Sequence, residues 1–260
     1  MKKYALAILV LMASLLVLPA CSIGDAAGQE EQPRAAIIDQ LYLLEPKAEF
    51  IQETVATLEA GGFAVDVWQG EAITVDFYRK LPQYGYKLIV FRVHSGLLLS
   101  LEDGKMVPSQ STYLFTGETY TTAKYVPEQL QDRVSNALMT DKYPLVFAVN
   151  SEFVRKNMSG DFDDTAIVMM GCESYYYSDM AAAFLEKGAS VYLGWDRLVS
   201  LDYVDEVARE LLRNLCTGEL EVEKSVHETM KKYGLDPYFN AALKFAPDKA
   251  GNRTIYELLN

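Results

Sequence analysis

The chain has 260 residues, of which 36 are acidic and 24 basic, so its formal net charge is −12 at pH 7. An acidic balance of this size disfavours nucleic acids and anionic lipid surfaces as partners, because both repel it. Three cysteines and two histidines, with no CxxC or HxxxH spacing, exclude a disulfide framework and predict that there is no structural metal site.

Residues 1–20 have the pattern of an export signal. Two lysines precede an apolar run from Ala5 to Leu18, which is shorter than the roughly 20 residues of a membrane-spanning helix. The run ends in Leu-Pro-Ala-Cys, which resembles the lipobox of bacterial lipoproteins. That resemblance implies cleavage after residue 20 and a lipid on Cys21. A plain secretory signal, with an incidental cysteine, is the alternative.

The polar residues 21–33 are then a flexible tether, and residues 34–260 form one domain. The lipid on Cys21 would be the only membrane anchor. We therefore expect the protein outside the cytoplasm, held at the cell membrane or the outer membrane.

Strands and helices alternate in the predicted domain. In chain order, strands are expected at residues 34–41, 63–68, 86–93, 145–149, 165–170 and 190–193, and helices at 46–60, 72–82, 127–139, 178–187, 202–216 and 221–233. Strands rich in Ile and Val that alternate with helices favour an α/β fold with a mostly parallel sheet covered on both faces. Residues 97–125, dense in Thr and Tyr, predict a β-hairpin insertion.

Two of these strands end in residues that can carry chemistry. The third is followed by His94 and Gly96, and the fifth by Gly171 and Cys172. Because the carboxyl ends of parallel strands meet at one edge of a sheet, the imidazole and the thiol are expected close together. The imidazole can take the thiol proton and return it to a leaving group, and amides near these glycines and Cys172 can stabilise an oxyanion. A strand-capping histidine and a core cysteine are the alternatives.

A hydrophobic strand ending in His-x-Gly, and a second ending in a small residue and Cys, resemble the caspase-like (clan CD) cysteine peptidases, which include caspases, gingipains, clostripain, separase and CHAT domains. The segment Met180–Trp195 is similar to the one that follows the nucleophile in CHAT-type members. The resemblance covers about residues 35–215. It implies a caspase-like three-layer α/β/α sandwich, with His94 as catalytic histidine, Cys172 as nucleophile, a peptide or protein substrate and no cofactor.

The sequence departs from that family in places. Ser95 stands where many members have glycine directly after the histidine, and the histidine and cysteine are further apart than is usual. Glu173, Asp196 and Trp195 lie near the expected site as a candidate specificity pocket. An acidic pocket there would select Arg or Lys before the scissile bond.

These patterns together predict a membrane-tethered, extracytoplasmic cysteine endopeptidase. Two alternatives stay open: a catalytically inactive caspase-like lipoprotein that acts as a surface binding or assembly module, and an exported carrier of a small molecule. A catalytic Cys172 is expected to react with iodoacetamide well below pH 8, because its thiolate would be stabilised.

Overall fold

Ten strands and eight α-helices occur within residues 32–259, which are the residues that the computed structural model describes. The strands are β1 (Arg34–Asp39), β2 (Ala64–Gln69), β3 (Leu88–Arg92), β4 (Ser95–Glu102), β5 (Lys105–Thr119), β6 (Val134–Ala137), β7 (Val146–Asn150), β8 (Thr165–Met169), β9 (Ala189–Trp195) and β10 (Leu243–Ala246). The helices are α1 (Ala48–Ala60), α2 (Val75–Lys80), α3 (Val126–Gln129), α4 (Ser151–Asn157), α5 (Asp179–Glu186), α6 (Leu201–Leu212), α7 (Val222–Tyr233) and α8 (Ile255–Leu258).

The larger sheet has the spatial order β10-β9-β8-β3-β1-β2. All neighbouring strands in it are parallel except β10, which runs antiparallel to β9. Every residue of β3 and of β8 is buried, as expected for strands that are covered on both faces. The predicted α/β class with a mostly parallel sheet is confirmed.

Helices pack on both faces of this sheet. Leu88 and Val90 of β3 pack into a core with residues of α1, α6 and α7. Ile89 and Phe91, which point to the opposite face, pack into a second core with residues of α2, α4 and α5. The alternation of side chains along a strand thus accounts for the three layers. No helix within residues 32–259 is both long and apolar enough to cross a bilayer.

A second sheet, with the order β4-β5-β7-β6, is antiparallel throughout. Strands β4 and β5 form the predicted hairpin, but the far part of β5 also pairs with β7, where Leu114 lies opposite Val149. The hairpin predicted over residues 97–125 is therefore part of a larger sheet, because a buried strand that is distant in sequence completes its hydrogen bonding.

The helix predicted over residues 127–139 is wrong beyond Gln129. Only α3 is helical, and Asp132 then takes a left-handed backbone conformation with a φ of 55°. Beyond it β6 pairs with β7 and buries Val134 and Ala137, whereas Leu130 is 81% exposed. The apolar residues have helical spacing, yet pairing with a buried strand decides the local structure. The patterns also do not predict the short elements α4, β10 and α8.

A buried cluster of charges ties the sheet to α6. Arg92, the last residue of β3, donates from Nη1 to Asp39 Oδ1 at 2.8 Å, and from Nε and Nη2 to the two carboxylate oxygens of Asp205 at 2.9 and 3.1 Å. Nη1 also donates to the carbonyl oxygen of Glu45 at 3.1 Å. All three charged side chains are buried. The cluster lies at the edge of the sheet where β1 and β3 end.

Replacing Arg92 by methionine should destabilise the protein strongly. The substitution leaves two buried carboxylates without a cation, and removing one partner from a buried ion pair costs about 3–5 kcal/mol. Urea denaturation measures the free energy of unfolding. Arg213→Met is the control, because this arginine is half exposed and its ion pair with Glu210 has an N–O distance of 3.5 Å. A loss for Arg92→Met no larger than that of the control would contradict the assigned role.

Candidate active site

The ends of β3 and β8 meet at one edge of the larger sheet. Their parallel register pairs Phe91 with Met169, and the same sequence offset separates His94 from Cys172. Beyond the strands, Ser95 Oγ donates to the carbonyl oxygen of Cys172 at 2.6 Å. The two strand tips are therefore neighbours, with the predicted histidine and cysteine one on each.

Gly171 lies where the two tips approach most closely. A Cβ atom at this position would lie 2.2 Å from Ser95 Oγ and 2.8 Å from the carbonyl oxygen of Val93. Neither contact is tolerated without movement, so glycine is what lets the tips come together. The structure accounts for Gly171 by packing, and its part in binding an oxyanion stays a prediction.

The Cys172 thiol is bonded to backbone rather than to an imidazole. Its Sγ donates to the carbonyl oxygen of Val199 and accepts from the Val199 amide, both at 3.4 Å. Burial raises the pKa of the thiol above its ordinary value of 9.0. The Val199 amide opposes this effect, while the charges of Glu173 and Asp236 add to it. Burial thus favours the protonated thiol, and not the stabilised thiolate that the sequence leads us to expect.

His94 is held by its backbone, and its ring is neutral. The amide of His94 donates to Gln40 Oε1 at 2.9 Å, and the ring lies 5.9 Å from that of Phe115, centroid to centroid. Burial, aided by the positive charge of Arg92, lowers the pKa of the imidazole to about 4. Within residues 32–259, Nε2 is buried without a hydrogen-bond partner, and no hydrogen bond joins the ring to Cys172.

The strand pairing indicates which amides face the site. The amide of Leu97 donates to Glu173 Oε2 at 3.0 Å, outside the β4–β5 pair. Because alternate amides of a strand point to opposite edges, the amide of Ser95 faces the same side, and that of Gly96 faces β5. The Gly96 amide that the sequence favours thus faces β5, and the part of either amide in binding an oxyanion stays a prediction.

The three residues of the predicted specificity pocket lie on neighbouring backbone, since the Glu173 amide donates to the carbonyl oxygen of Arg197 at 2.9 Å, but their side chains have different surroundings. Glu173 lies beside the thiol, with its carboxylate on the Leu97 amide. Asp196 Oδ1 accepts from the amide of Ala242 at 2.8 Å, next to β10. Trp195 is 2% exposed and packs against Tyr203 in the core, so it does not line an open pocket.

The structure adds no further cysteine and no metal centre to this site within residues 32–259. Cys216 is buried in the core, and burial raises its pKa to about 12. Cys21 lies outside the described residues. Among residues 32–259, no group of three or more His, Cys, Asp and Glu side chains is arranged to hold a metal ion.

Two features of the site are missed by the sequence patterns. One is the buried ion cluster of Arg92, although an arginine inside the apolar run YKLIVFRV is itself a signal that a buried counter-charge exists. The other is the loop around Val199, which carries no motif. Its contact with the thiol depends on a long-range placement that local patterns do not encode.

Comparison of the sequence with protein-family models finds no match, and comparison with curated proteins finds none either. The caspase-like resemblance therefore depends on the sequence motifs quoted above.

The neutral state of His94 should make stability depend on pH. Its pKa is about 4 in the folded protein and about 6.5 when exposed, so the unfolded chain binds the proton first as the pH falls. Stability should be complete above about pH 6.5 and decline towards about pH 4, by on the order of 3 kcal/mol.

Urea denaturation at several pH values measures this dependence. His94→Gln should remove that part of the pH slope. His227→Gln, at the exposed second histidine, should leave it intact. An identical slope in wild type and His94→Gln would show that the ring is not buried in its neutral form.

Proposed function

We propose that this protein is a membrane-tethered, extracytoplasmic cysteine endopeptidase with a caspase-like fold, in which Cys172 is the nucleophile and His94 the general base. One observation supports the proposal: β3 and β8 are neighbouring parallel strands, and just beyond them Ser95, next to His94, donates to the carbonyl oxygen of Cys172. Helices on both faces of a mostly parallel sheet agree with the three layers that the resemblance implies.

The chemistry follows from these positions. Cys172 Sγ attacks the carbonyl carbon of the scissile peptide bond, and His94 takes the thiol proton and passes it to the leaving amine. The amides of Ser95 and Cys172 stabilise the oxyanion. Water then hydrolyses the thioester, with His94 again as base. These steps require no metal ion and no organic cofactor.

The resting conformation is a poor catalyst. Burial raises the pKa of the thiol and lowers the pKa of the imidazole to about 4, so both effects oppose transfer of the proton from Cys172 to His94. The proposal therefore requires that a bound peptide frees Sγ from Val199 and brings it to the ring.

A second function is favoured by the same contact. The two hydrogen bonds between Sγ and Val199 are what a structural cysteine would make. A catalytically silent caspase-like fold, used as a surface binding or assembly module, would keep them permanently. The two candidates differ in whether a peptide can release the thiol.

A peptidyl acyloxymethyl ketone should label Cys172, because the peptide part of the reagent supplies the substrate contacts. Iodoacetamide, which has no peptide part, should react slowly at pH 7. Mass spectrometry of the folded protein identifies the labelled residue. Cys172→Ala should abolish labelling, and Cys216→Ala should preserve it. Absence of labelling in folded wild type would favour the silent module, and labelling that survives Cys172→Ala would rule out the peptidase.

We also propose that Cys21 is lipidated and retains the protein at a membrane. Cys21→Ser should move the protein from the membrane fraction to the soluble fraction, because it removes the thiol that carries the lipid. Ser22→Ala, at the next residue, should leave it in the membrane fraction. Fractionation followed by immunodetection measures both. Equal membrane retention of both variants would contradict lipidation at this site.

A further inference from the structure

A cavity of about 480 Å³ begins one residue beyond Val199, whose backbone holds the candidate nucleophile. The thiol is held by the backbone of Val199, and the next residue, Ser200, lines the cavity. The other walls come from the loop before α1, the first turn of α6 and the turn that follows α7: Glu45, Leu201, Asp202, Tyr203, Pro237 and Tyr238. We call this cavity the Tyr238 pocket. Residues 199–200 connect this pocket to Cys172, and neither His94 nor Cys172 is among the lining residues.

Hydrogen bonds to Asp236 connect two walls of the Tyr238 pocket. The buried carboxylate of Asp236 accepts from the amide and the hydroxyl of Ser200 at 2.9 and 2.5 Å. Its other oxygen accepts from the amides of Tyr238 and Phe239 at 2.9 and 2.7 Å. The side chain of Tyr238 is nevertheless 78% exposed. An exposed aromatic ring on a fixed turn loses little conformational entropy when it binds a ligand.

The lining combines aromatic rings with negative charge. Tyr203 and Tyr238 supply the rings, and Glu45 and Asp202 supply two carboxylates. The ammonium group of Lys47 lies 2.9 Å from Asp202 Oδ1 and 3.3 Å from Glu45 Oε1, so this chain already places one cation between the two acids. One negative charge is left uncompensated. Lys47 and both acids are partly or fully exposed, so a competing cation can reach them.

We infer that the Tyr238 pocket binds the side chain of an arginine or lysine residue in the polypeptide substrate. The cation pairs with Asp202 and Glu45, and its apolar stem packs on the tyrosine rings. The inference rests on the proposed function, since it makes the pocket a subsite next to Cys172. It places basic selectivity here and not at Asp196, whose carboxylate accepts from the Ala242 amide, or at Trp195, which is buried against Tyr203.

Charge decides between basic side chains and other occupants. An apolar residue would gain the ring contacts alone, and an acidic residue would be repelled by the uncompensated carboxylate. The net charge of −12 on the whole chain repels acidic peptides as well. A basic residue is the one class that satisfies both features of the lining.

Binding to the full-length Cys172→Ala variant tests the inference without any need for catalysis. The probes are fluorescein-labelled Ala-Gly decapeptides with one central arginine, norleucine or glutamate, and fluorescence anisotropy gives the affinity. The arginine peptide should bind about tenfold more tightly than the norleucine peptide, since an exposed ion pair and a cation–π contact together supply roughly that factor. The glutamate peptide should bind most weakly.

Substituting the two members of one ion pair should have opposite effects on the affinity for the arginine peptide. Asp202→Asn should weaken binding of the arginine peptide about fivefold, whereas Lys47→Met should strengthen it, because the competing ammonium is gone. Glu223→Gln, which replaces an exposed glutamate on α7, should leave the affinity for the arginine peptide unchanged. If the Lys47–Asp202 pair only supports the fold, both substitutions should weaken binding.

Weakening by both substitutions would overturn the inference, as would equal affinity for the arginine and norleucine peptides. Because binding is measured without the thiol, a failure here leaves the labelling test of Cys172 unaffected. A failure of that labelling test likewise leaves the binding result standing.

Discussion

Arg92 carries the buried charge on which the geometry of the site depends. Its guanidinium joins the end of β1, through Asp39, to α6, through Asp205, and it is itself the last residue of β3. Such a cluster adds little net stability, because desolvation offsets most of the attraction. Our interpretation is that it fixes the relative position of three elements two residues before His94, since any shift would leave a buried charge unpaired.

The same positive charge helps to keep the imidazole neutral, so the scaffold that would position the proposed dyad also opposes its charged form. A peptidase that completes its site on substrate binding and a fold that has lost catalysis both accommodate a neutral pair. These two possibilities differ in what happens to residues 199–200. Val199 holds the thiol and Ser200 lines the Tyr238 pocket, so a peptide in that pocket and release of the thiol involve the same few backbone atoms.

Much of this architecture could be predicted from the sequence, because buried parallel strands are continuous apolar runs and their order puts His94 and Cys172 at one edge. Prediction failed where long-range contacts overrule local pattern. Val134 and Ala137 have helical spacing but pair with β7, and Trp195 lies under Tyr203 and not on a pocket wall. The turn at Asp236 is held locally by the amides of Tyr238 and Phe239, but local pattern does not predict its contact with Ser200, which is distant in sequence.

The contact between Cys172 and Val199 has a consequence for the redox chemistry of the thiol. Oxidants and small disulfides attack the thiolate, and the rate of that attack falls as the thiolate fraction falls. A half-buried, protonated thiol held between a carbonyl and an amide is therefore shielded from conversion to sulfenic acid and from mixed-disulfide formation. In an oxidising compartment without a reducing glutathione pool, such shielding would preserve a single reactive sulfur over the lifetime of the molecule.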